Sequence, residues 1–236
     1  MAGLARMLSK LGHCSRAQAV ERVRAGRVTL NGRICRDPEK PVQAGRDRIA
    51  VDGVAVQEPQ RIYLMLNKPR GLVTSRADER GRATVFECLH GLEETLHLSA
   101  VGRLDRASEG LLLFSNDTGW AHRITDPATH VDKTYHVQVD RRLEPEDLES
   151  LSRTVRADGE DLMLKQVRLL RQGQKTCWLE ITLDEGRNRQ IRRVLAAHQL
   201  MVKRLVRVRI GTLELGDLAK GQWRRLREEE VSQLSR

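Results

Sequence analysis

GRLDRASEGLLL, at residues 102–113, places the carboxylate of Asp105 between two arginines, directly before a run of apolar residues. The apolar run predicts a buried strand, and the acid then lies in the turn that leads into it. Neighbouring positive charge favours the ionised form of a carboxylate, and an ionised aspartate beside a pocket can act as a base or as a nucleophile. On this segment alone, an ion pair that only stabilises the turn is the simpler interpretation.

The sequence beyond residue 60 mixes strand and helix patterns and predicts an α+β fold. Strands adjoin one another without a regular alternation with helices, which favours a mixed, mainly antiparallel sheet with flanking helices. The expected strands cover residues 62–66, 111–115, 134–139, 176–183 and 202–210, and the expected helices lie near 84–90, 119–125, 144–153, 189–200 and 227–234.

The first quarter of the chain has the pattern of a separate, small module. A helical pattern ends at Gly12, and Ser15 opens a second helix with the S-x-x-Q spacing of a capping box to Gln18. Two β-hairpin patterns follow, with an Asn-Gly turn at residues 31–32 and an Asp-Gly turn at residues 52–53. The sequence therefore predicts two helices followed by hairpins, an ααβ arrangement.

Charge separates this module from the rest of the chain. Residues 1–60 hold 11 Lys and Arg against 6 Asp and Glu, so a quarter of the chain carries half of the net charge of +10. A polar stretch that contains a proline, residues 57–60, predicts a linker. We therefore expect a small basic module at residues 1–58 and a larger domain at residues 61–236.

Composition excludes several classes of protein. The excess of arginine indicates a polyanionic partner, most often nucleic acid. Charged residues make up 31% and hydrophobic residues 39% of the chain, which fits neither a disordered nor a membrane protein. The N-terminal ten residues lack the apolar core of a signal peptide, so we expect a cytoplasmic protein with no membrane partner. Aromatic residues, at 3%, are too few for a wide base-stacking platform.

Cysteine and histidine give no sign of a metal or of a disulfide framework. The four cysteines form no C-x-x-C pair, and the seven histidines show no spacing typical of metal ligands. Free thiols in a reducing compartment are the expected state, and no metal site is predicted.

A second unusual segment, EGRNRQIRR at residues 185–193, places four arginines around the start of an expected helix. If Asn188 caps that helix, Arg189 and Arg193 face outward, where they suit phosphate groups. Arg192 then falls on the edge of the apolar stripe and is half-buried, a position that normally requires a carboxylate partner. A merely solvated basic helix explains the outward pair but explains Arg192 poorly.

The strand pattern at residues 202–210 adds a cationic strip. Alternation with a period of two sends Lys203, Arg207 and Arg209 to one face of the strand, opposite a row of valine and isoleucine. We expect this strip to be available for contacts with a polyanion.

Four ordered motifs resemble those of one enzyme family. They are NKPxG at residues 67–71, GRLD at 102–105 with GLLL at 110–113 and ND at 116–117, KTY at 133–135, and EGRNRQIRR at 185–193. Together they resemble the bacterial ribosomal-RNA pseudouridine synthases of the RsuA and RluB type. Residues 4–52 also resemble the small RNA-binding module that this family shares with a small-subunit ribosomal protein, so the resemblance covers nearly the whole chain.

The resemblance implies the family's reaction, the isomerisation of a specific uridine in ribosomal RNA to pseudouridine, without a cofactor or a metal. Matched residue by residue, Asp105 is the catalytic aspartate, Tyr135 stacks against the target base, and Arg192 pairs with the aspartate. Without the resemblance, Tyr135 would be interpreted as an ordinary strand aromatic. Whether the aspartate attacks carbon 1 of the ribose or removes a proton from carbon 2 stays open.

The resemblance and the charge pattern together give a set of expected RNA contacts. The implied partner is ribosomal RNA or a ribosome-assembly intermediate, bound by a monomer. The expected contact residues are Arg16, Arg27, Lys68, Arg103, Lys133, Arg187, Arg189, Arg193, Lys203 and Arg207.

The target RNA is less defined than the reaction. Residues 75–86 resemble the large-subunit enzymes and residues 120–125 resemble the small-subunit enzyme, and we favour large-subunit RNA. Residues 107–109 depart from the commonest family pattern, which bears on the substrate more than on the reaction.

A non-catalytic RNA-binding factor for ribosome assembly or recycling is the main alternative function. An aminoacyl-tRNA synthetase fragment would need ATP-binding signatures that the sequence lacks.

Overall fold

The structure, a computed structural model, describes residues 2–57, 60–76, 81–92 and 98–235. Two residues of the predicted linker, 58–59, and part of the stretch that resembles large-subunit enzymes, residues 77–80, lie outside the described residues. The chain divides into two units: the first consists of Met1–Tyr63, His90–Ser99 and Ser115–Thr118, and the second of Leu64–Leu89, Ala100–Phe114 and Gly119–Arg236.

Short helices and hairpins build the first unit, as the sequence predicts. Ser15 and Gln18 form the expected capping box, in which Ser15 N donates to Gln18 Oε1 at 3.0 Å and Gln18 N donates to Ser15 Oγ at 3.2 Å. Asn31 and Asp52 have left-handed backbone conformations, with φ of 53° and 51°, at the two predicted hairpin turns. The elements are β1 (Ala2–Gly3), α1 (Leu4–Lys10), α2 (Arg16–Arg24), β2 (Val28–Leu30), β3 (Arg33–Ile34), β4 (Pro41–Val42), β5 (Ile49–Val51) and β6 (Val54–Ala55).

The first unit has a hydrophobic core of its own. Four of its strands form an antiparallel sheet in the order β3-β2-β5-β6, and β1 pairs with β4. Leu4, Leu8 and Val23 of the two helices are fully buried, as is Val28 of β2. Complete burial of one such side chain contributes about 1.5–3 kcal/mol. The spacing of apolar residues that predicts the helices therefore also stabilises the unit.

The remaining elements include two 3₁₀ helices, Val85–Leu89 and Pro127–Thr129, the first of which lies where the sequence predicts an α-helix. In the parts of the chain that are described, no helix has the length and the apolar composition needed to cross a membrane. The strands and α-helices are β7 (Tyr63–Lys68), β8 (Ser99–Val101), β9 (Glu109–Ser115), α3 (Thr118–Thr125), β10 (Lys133–Val139), α4 (Pro145–Leu151), β11 (Val155–Ala157), β12 (Glu160–Leu162), β13 (Gln166–Gln172), β14 (Cys177–Leu183), α5 (Gln190–Ala197), β15 (Val202–Ile210), β16 (Leu213–Glu214), β17 (Trp223–Arg225) and α6 (Glu228–Gln233).

A nine-stranded sheet organises these elements. Its strand order is β13-β14-β10-β15-β9-β7-β17, with β16 paired to β15 and β8 paired to β9. Strand β10 pairs antiparallel with both β14 and β15, whereas β9 and β15 run parallel. The mixed, mainly antiparallel sheet with flanking helices confirms the predicted α+β class.

The parallel contact between β9 and β15 depends on Gly110, which lies opposite Arg207. Gly110 has a φ of 100°, and a Cβ there would lie 2.8 Å from the backbone nitrogen of Arg207 and closer still to its carbonyl oxygen. A side chain does not fit this close approach. The glycine that begins the GLLL motif thus allows the strand after Asp105 to pair with β15.

The core of the second unit lies where the nine-stranded sheet packs on α5. Val137 and Leu179 of the sheet and Ile191 of α5 are buried in one cluster. At the other edge of the sheet, β17 pairs antiparallel with β7, so Leu66 lies opposite Trp223, near the end of the chain. The sheet is therefore completed by a strand that comes late in the sequence.

Candidate active site

A cleft of about 430 Å³ lies in the second unit. It is lined chiefly by the loop before β9, strand β10, the segment that leads into α5, and strand β15, and the end of α3 with the turn after it adds Ile124, Thr125 and Pro127. These parts are far apart in the sequence, and the nine-stranded sheet brings them together. The cleft therefore collects residues of the GRLD, KTY and EGRNRQIRR motifs.

The loop at residues 102–108, which carries Asp105, is held through its backbone. Thr74 Oγ1 donates to the carbonyl oxygen of Leu104 at 2.8 Å and accepts from the Leu104 amide at 3.3 Å. Within the loop, Ser108 N donates to the carbonyl oxygen of Asp105 at 2.9 Å. The backbone is thus fixed while the side chain of Asp105 lines the cleft and stays 40% exposed.

Lys68 holds the same loop from the interior of the protein. Its side chain is fully buried, and Nζ donates to the carbonyl oxygens of Ser108 at 2.8 Å, Pro69 at 3.1 Å and Asp105 at 3.2 Å. Burial lowers the pKa of this lysine to about 8. The structure thus corrects the prediction that Lys68 contacts RNA, because β7 is buried on both faces and the ammonium group is used to bind backbone carbonyls.

Arg189 provides the ion-pair partner of Asp105. Its Nη1 donates to Asp105 Oδ2 at 3.4 Å, and the two side chains are 50% and 40% exposed. The sequence predicts instead that Arg189 faces outward from a helix capped by Asn188. The difference arises because α5 begins at Gln190, so Arg189 itself is the N-cap residue, with left-handed backbone dihedral angles.

The side chain of Arg192 contacts the backbone of the Asp105 loop. Its Nη2 donates to the carbonyl oxygen of Ala107 at 3.2 Å, and its buried Nε has no hydrogen-bond partner among the described residues. Burial and the neighbouring charge of Arg189 lower the pKa of the Arg192 guanidinium. Arg192 is half-buried, as its place on the helix predicts, but the described contact with the Asp105 carboxylate comes from Arg189.

Arg193 binds acidic side chains and does not face outward as predicted. Its side chain is 14% exposed and donates to Asp158 Oδ2 at 2.8 Å, to Glu160 Oε2 at 2.6 Å and to the carbonyl oxygen of Ala157 at 2.5 Å. These bonds tie α5 to the hairpin of β11 and β12. The structure therefore corrects the outward orientation predicted for Arg193, and its contact with phosphate stays a prediction.

Strands β10 and β15 contribute Tyr135, Lys133 and Arg207 to the cleft. Tyr135 is half-buried and lies opposite Arg207 in the strand pairing. Arg207 is 5% exposed, its Nε donates to the carbonyl oxygen of Leu111 at 2.7 Å, and its buried Nη2 has no partner in the described part of the chain. Burial and the charge of Arg207 lower the pKa of Lys133. The cleft wall around Tyr135 is thus cationic.

The cationic strip predicted on β15 does not form a single exposed face. Lys203 is exposed, Arg207 is buried in the cleft wall, and Arg209 Nη2 donates to Thr134 Oγ1 at 3.2 Å. The register of the β10–β15 pairing shifts at Thr134, where Val208 is an extra residue of β15. Such a bulge interrupts the alternation of side chains between the two faces of a strand.

The structure brings most of the predicted site residues to one place. Outside the cleft lie the buried Lys68, the hairpin-bound Arg193, the exposed Lys203, and Arg16 and Arg27 of the first unit. The cleft is lined by Asp105, Tyr135, Arg192, Arg103, Lys133, Arg187, Arg189 and Arg207.

Two polar residues that shape the cleft region, Thr74 and Gln190, were not predicted from the sequence. Gln190 is 2% exposed, and its Nε2 donates to the carbonyl oxygen of Met163 at 2.9 Å and to Glu185 Oε1 at 2.6 Å. Gln190 stands four residues before Val194 on the buried face of the helix, a spacing that could have indicated it. No pattern in the sequence distinguishes Thr74.

The cleft offers a partly exposed carboxylate, a half-buried aromatic ring and several cations. A flat base can stack on the ring, and a polyanionic backbone can bind the cations. Within the described ranges, no group of His, Cys, Asp or Glu side chains is arranged to hold a metal ion.

Two families match the sequence. Residues 62–197 match the family described as RNA pseudouridylate synthase, and residues 3–49 match the S4 domain. The first match covers more than half of the chain and includes the Asp105 loop, β10 and all of α5.

Curated relatives and a solved structure match nearly the whole chain. The sequence is 34% identical over 230 residues to the "Uncharacterized RNA pseudouridine synthase" of Aquifex aeolicus (strain VF5), covering 97% of this chain and 92% of that protein. It is 32% identical over 236 residues to the ribosomal large subunit pseudouridine synthase B of Bacillus subtilis (strain 168), covering 99% and 96%. A crystal structure of a pseudouridylate synthase matches with a TM-score of 0.68 and 29% identity, over 99% of this chain and 100% of that one. The chain therefore belongs to the RNA pseudouridylate synthase family, as an isomerase that carries an S4 domain ahead of its synthase domain.

Proposed function

We propose that this cleft converts a uridine of ribosomal RNA into pseudouridine, with Asp105 acting on the ribose. Two carboxylates line the cleft. Glu185 is bound by Arg187 Nε at 2.9 Å and by Gln190 Nε2 at 2.6 Å, whereas Asp105 makes the longer contact of 3.4 Å with Arg189 and is 40% exposed. The accessibility of Asp105 is the observation that carries the proposal, because a ribose in the cleft can reach this carboxylate.

The reaction rearranges bonds within one nucleotide. The bond between nitrogen 1 of uracil and carbon 1 of the ribose breaks, the base turns, and carbon 5 of uracil bonds to carbon 1. The proton on carbon 5 leaves to solvent and nitrogen 1 gains one, so the product is an isomer of the substrate. Asp105 either attacks carbon 1 or takes a proton from carbon 2, and both routes use its carboxylate group.

The remaining cleft residues hold the displaced nucleotide. Extracting a uridine from helical RNA costs a few kcal/mol, and stacking on an aromatic ring with phosphate contacts offsets this cost. In this proposal Tyr135 stacks on the uracil, Arg192 fixes the Asp105 loop, and Arg103, Lys133 and Arg187 contact the RNA backbone. The cationic wall around Tyr135 supports these roles.

We assign docking to residues 1–58 and catalysis to residues 61–236. The S4 match and the concentration of net charge in residues 1–60 support the first assignment. The name of the Bacillus subtilis relative supports RNA of the large ribosomal subunit as the target. The enzyme then acts in the cytoplasm, as a monomer, on ribosomal RNA or on a ribosome-assembly intermediate.

The test of the proposal is Asp105→Asn, which keeps the size of the side chain and removes its charge. We expect tritium release from RNA labelled at carbon 5 of uridine to fall by at least about 10³-fold, while RNA affinity is retained. The substrate is ribosomal RNA from cells that lack the enzyme. Asp217→Asn is the matched control, because Asp217 is exposed in the second unit and lies outside the cleft.

Mapping pseudouridine on both ribosomal RNAs with and without the gene identifies the target. Full tritium release by a folded Asp105→Asn protein would contradict the catalytic role of Asp105. RNA binding without any missing pseudouridine in the mutant cells would instead favour a non-catalytic assembly factor.

A further inference from the structure

We infer that Arg189 is a second positioning residue for the Asp105 carboxylate, separate from Arg192. The inference rests on the proposed role of Asp105 and concerns how its side chain is aimed at the ribose. It starts from one ion pair and one backbone conformation that occur at the same residue.

The backbone at Arg189 has a conformation that side-chain-bearing residues rarely adopt. Its φ is 50° and its ψ is 31°, in the left-handed region, at the N-cap position of α5. The side chain of Arg189 makes no capping hydrogen bond that would account for this conformation. An unfavourable backbone conformation of this kind persists where the surrounding structure imposes it, and it often lies at a functional site.

Gln190 and its neighbours impose the conformation. Besides donating to Met163 and Glu185, the Gln190 side chain accepts from Arg187 N at 3.3 Å. On the helical side, Arg193 N donates to the carbonyl oxygen of Arg189 at 2.9 Å. The residues on both sides of Arg189 are therefore fixed, and Arg189 connects them in the left-handed conformation.

This arrangement places two arginines of one segment on different parts of the Asp105 loop. Arg189 Nη1 contacts the carboxylate itself at 3.4 Å, whereas Arg192 Nη2 binds the carbonyl oxygen of Ala107 at 3.2 Å. Lys68 binds the carbonyl oxygen of Asp105 at 3.2 Å from the interior. Backbone and side chain of the aspartate are thus held by different cations, and Arg189 is the one that orients the carboxylate.

Stability alone does not explain the ion pair. Both side chains are about half exposed, and ion pairs at such positions contribute little to folding. A left-handed conformation for a non-glycine residue adds a cost in the same place. A glycine at position 189 would adopt the same backbone without that cost. Arginine is therefore unfavourable for folding at this position and has to be explained by what its side chain does.

Arg189→Gly tests the inference, because it keeps the backbone conformation and removes the side chain. We expect the single-turnover rate at saturating RNA to fall by about 10- to 100-fold, the size of effect that a misplaced reacting group produces. RNA affinity should change by less than about threefold, and the melting temperature should be equal to or above that of the wild type. Arg189→Lys, which retains a cation, should recover part of the rate.

Arg153→Gly is the matched control, since it removes an exposed arginine of the second unit that lies outside the cleft. It should leave the single-turnover rate unchanged.

A weaker affinity of Arg189→Gly with an unchanged saturated rate would make Arg189 an RNA contact and overturn the inference. A slower rate with a lower melting temperature would make it a structural residue and overturn it equally. If Asp105→Asn is inactive and Arg189→Gly has the wild-type rate, the inference fails and the proposed function stands. Activity in Asp105→Asn makes the proposed function fail instead.

Discussion

Arg27 of the first unit and Lys68 of the second are both basic residues that the sequence predicts to contact RNA, and their surroundings are opposite. Arg27 is 53% exposed and makes a two-point ion pair with Asp52, with Nε at 2.8 Å from Oδ1 and Nη2 at 2.6 Å from Oδ2. Lys68 is fully buried and binds three backbone carbonyls. Arg27 therefore contacts solvent and an acid, whereas Lys68 contacts only backbone carbonyls among the described residues.

Exposed cations such as Arg27 contribute to RNA affinity, whereas buried cations such as Lys68 fix the geometry of the cleft. An exposed charge is screened by salt and contributes to a sum over many phosphate contacts, so its position tolerates change. A buried cation that binds several carbonyl oxygens holds a loop in place, and its loss leaves buried polar groups with fewer partners. Substitutions of exposed cations should therefore change RNA affinity and its salt dependence, whereas substitutions of buried cations should change stability and catalytic rate.

Lys68→Met is the change for which we expect the largest effect. It keeps an apolar chain of similar length but removes the Lys68 donor from the carbonyl oxygens of Ser108 and Pro69, and leaves that of Asp105 with the bond from Ser108 N. We expect unfolding of the synthase domain to become easier by about 2–4 kcal/mol, and tritium release to fall more than tenfold because the Asp105 loop loosens.

Urea unfolding followed by circular dichroism, together with the release assay, measures both effects of Lys68→Met. Lys175→Met is the control, because Lys175 is exposed. Equal stability of the two variants would remove the distinction between buried and exposed cations.

Glu230 extends the comparison to a buried acid and has a smaller expected effect. Its carboxylate accepts from Arg224 Nη2 at 2.7 Å and from Arg227 N at 2.8 Å. Burial raises the pKa of Glu230, but these hydrogen bonds outweigh burial and lower the pKa to about 2. A carboxyl group whose pKa is lowered on folding stabilises the protein at every pH above the pKa that it has in the unfolded chain, which is near 4.5 here. This contribution is lost as the pH falls from 4.5 towards the folded pKa of about 2.

The stability difference between the wild type and Glu230→Gln should therefore shrink between about pH 4.5 and pH 2. Thermal melting at several pH values measures it, with Glu229→Gln, at an exposed position, as the control. A difference that is constant with pH would show that the ionised form of Glu230 is not what stabilises α6.

Arg16 and Arg27 give the smallest expected effect, within the first unit itself. Arg16 is exposed at the start of α2, whereas the charge of Arg27 is already balanced by Asp52. We expect Arg16→Gln to lower the slope of log affinity against log salt by about 0.7–0.9, and Arg27→Gln to lower it less. Filter binding at several salt concentrations measures both slopes, and a larger loss for Arg27→Gln would mean that RNA displaces Asp52.

Patterns that act over short distances allow the fold of the first unit to be predicted from its sequence. The capping box at Ser15 and the turns at Asn31 and Asp52 each depend on residues within a few positions of one another. The strand before which Asp105 stands is equally clear, because its apolar run is buried throughout. Local chemistry was sufficient for these elements.

The details of the cleft depend on contacts between distant segments, and some of the side-chain orientations predicted there differ from the structure. The orientation of Arg189 follows from one left-handed residue, which is set in part by the contact of Gln190 with Met163. The strip on β15 is interrupted by a bulge that only the pairing with β10 reveals. For Lys68 a signal was present: it shares a strand face with Leu64 and Leu66, and all three are fully buried.

The pairing of β7 with β17 has a consequence for the order in which the protein is made. A ribosome releases the two helices and hairpins of the first unit early, and their core needs no later segment. Strand β7, which carries Lys68, can pair with β9 on one side earlier, but its partner on the other side, Trp223–Arg225, is made much later. Contacts between such distant segments form slowly compared with local hairpins. A nascent chain can therefore hold an RNA-binding unit before it has an active site.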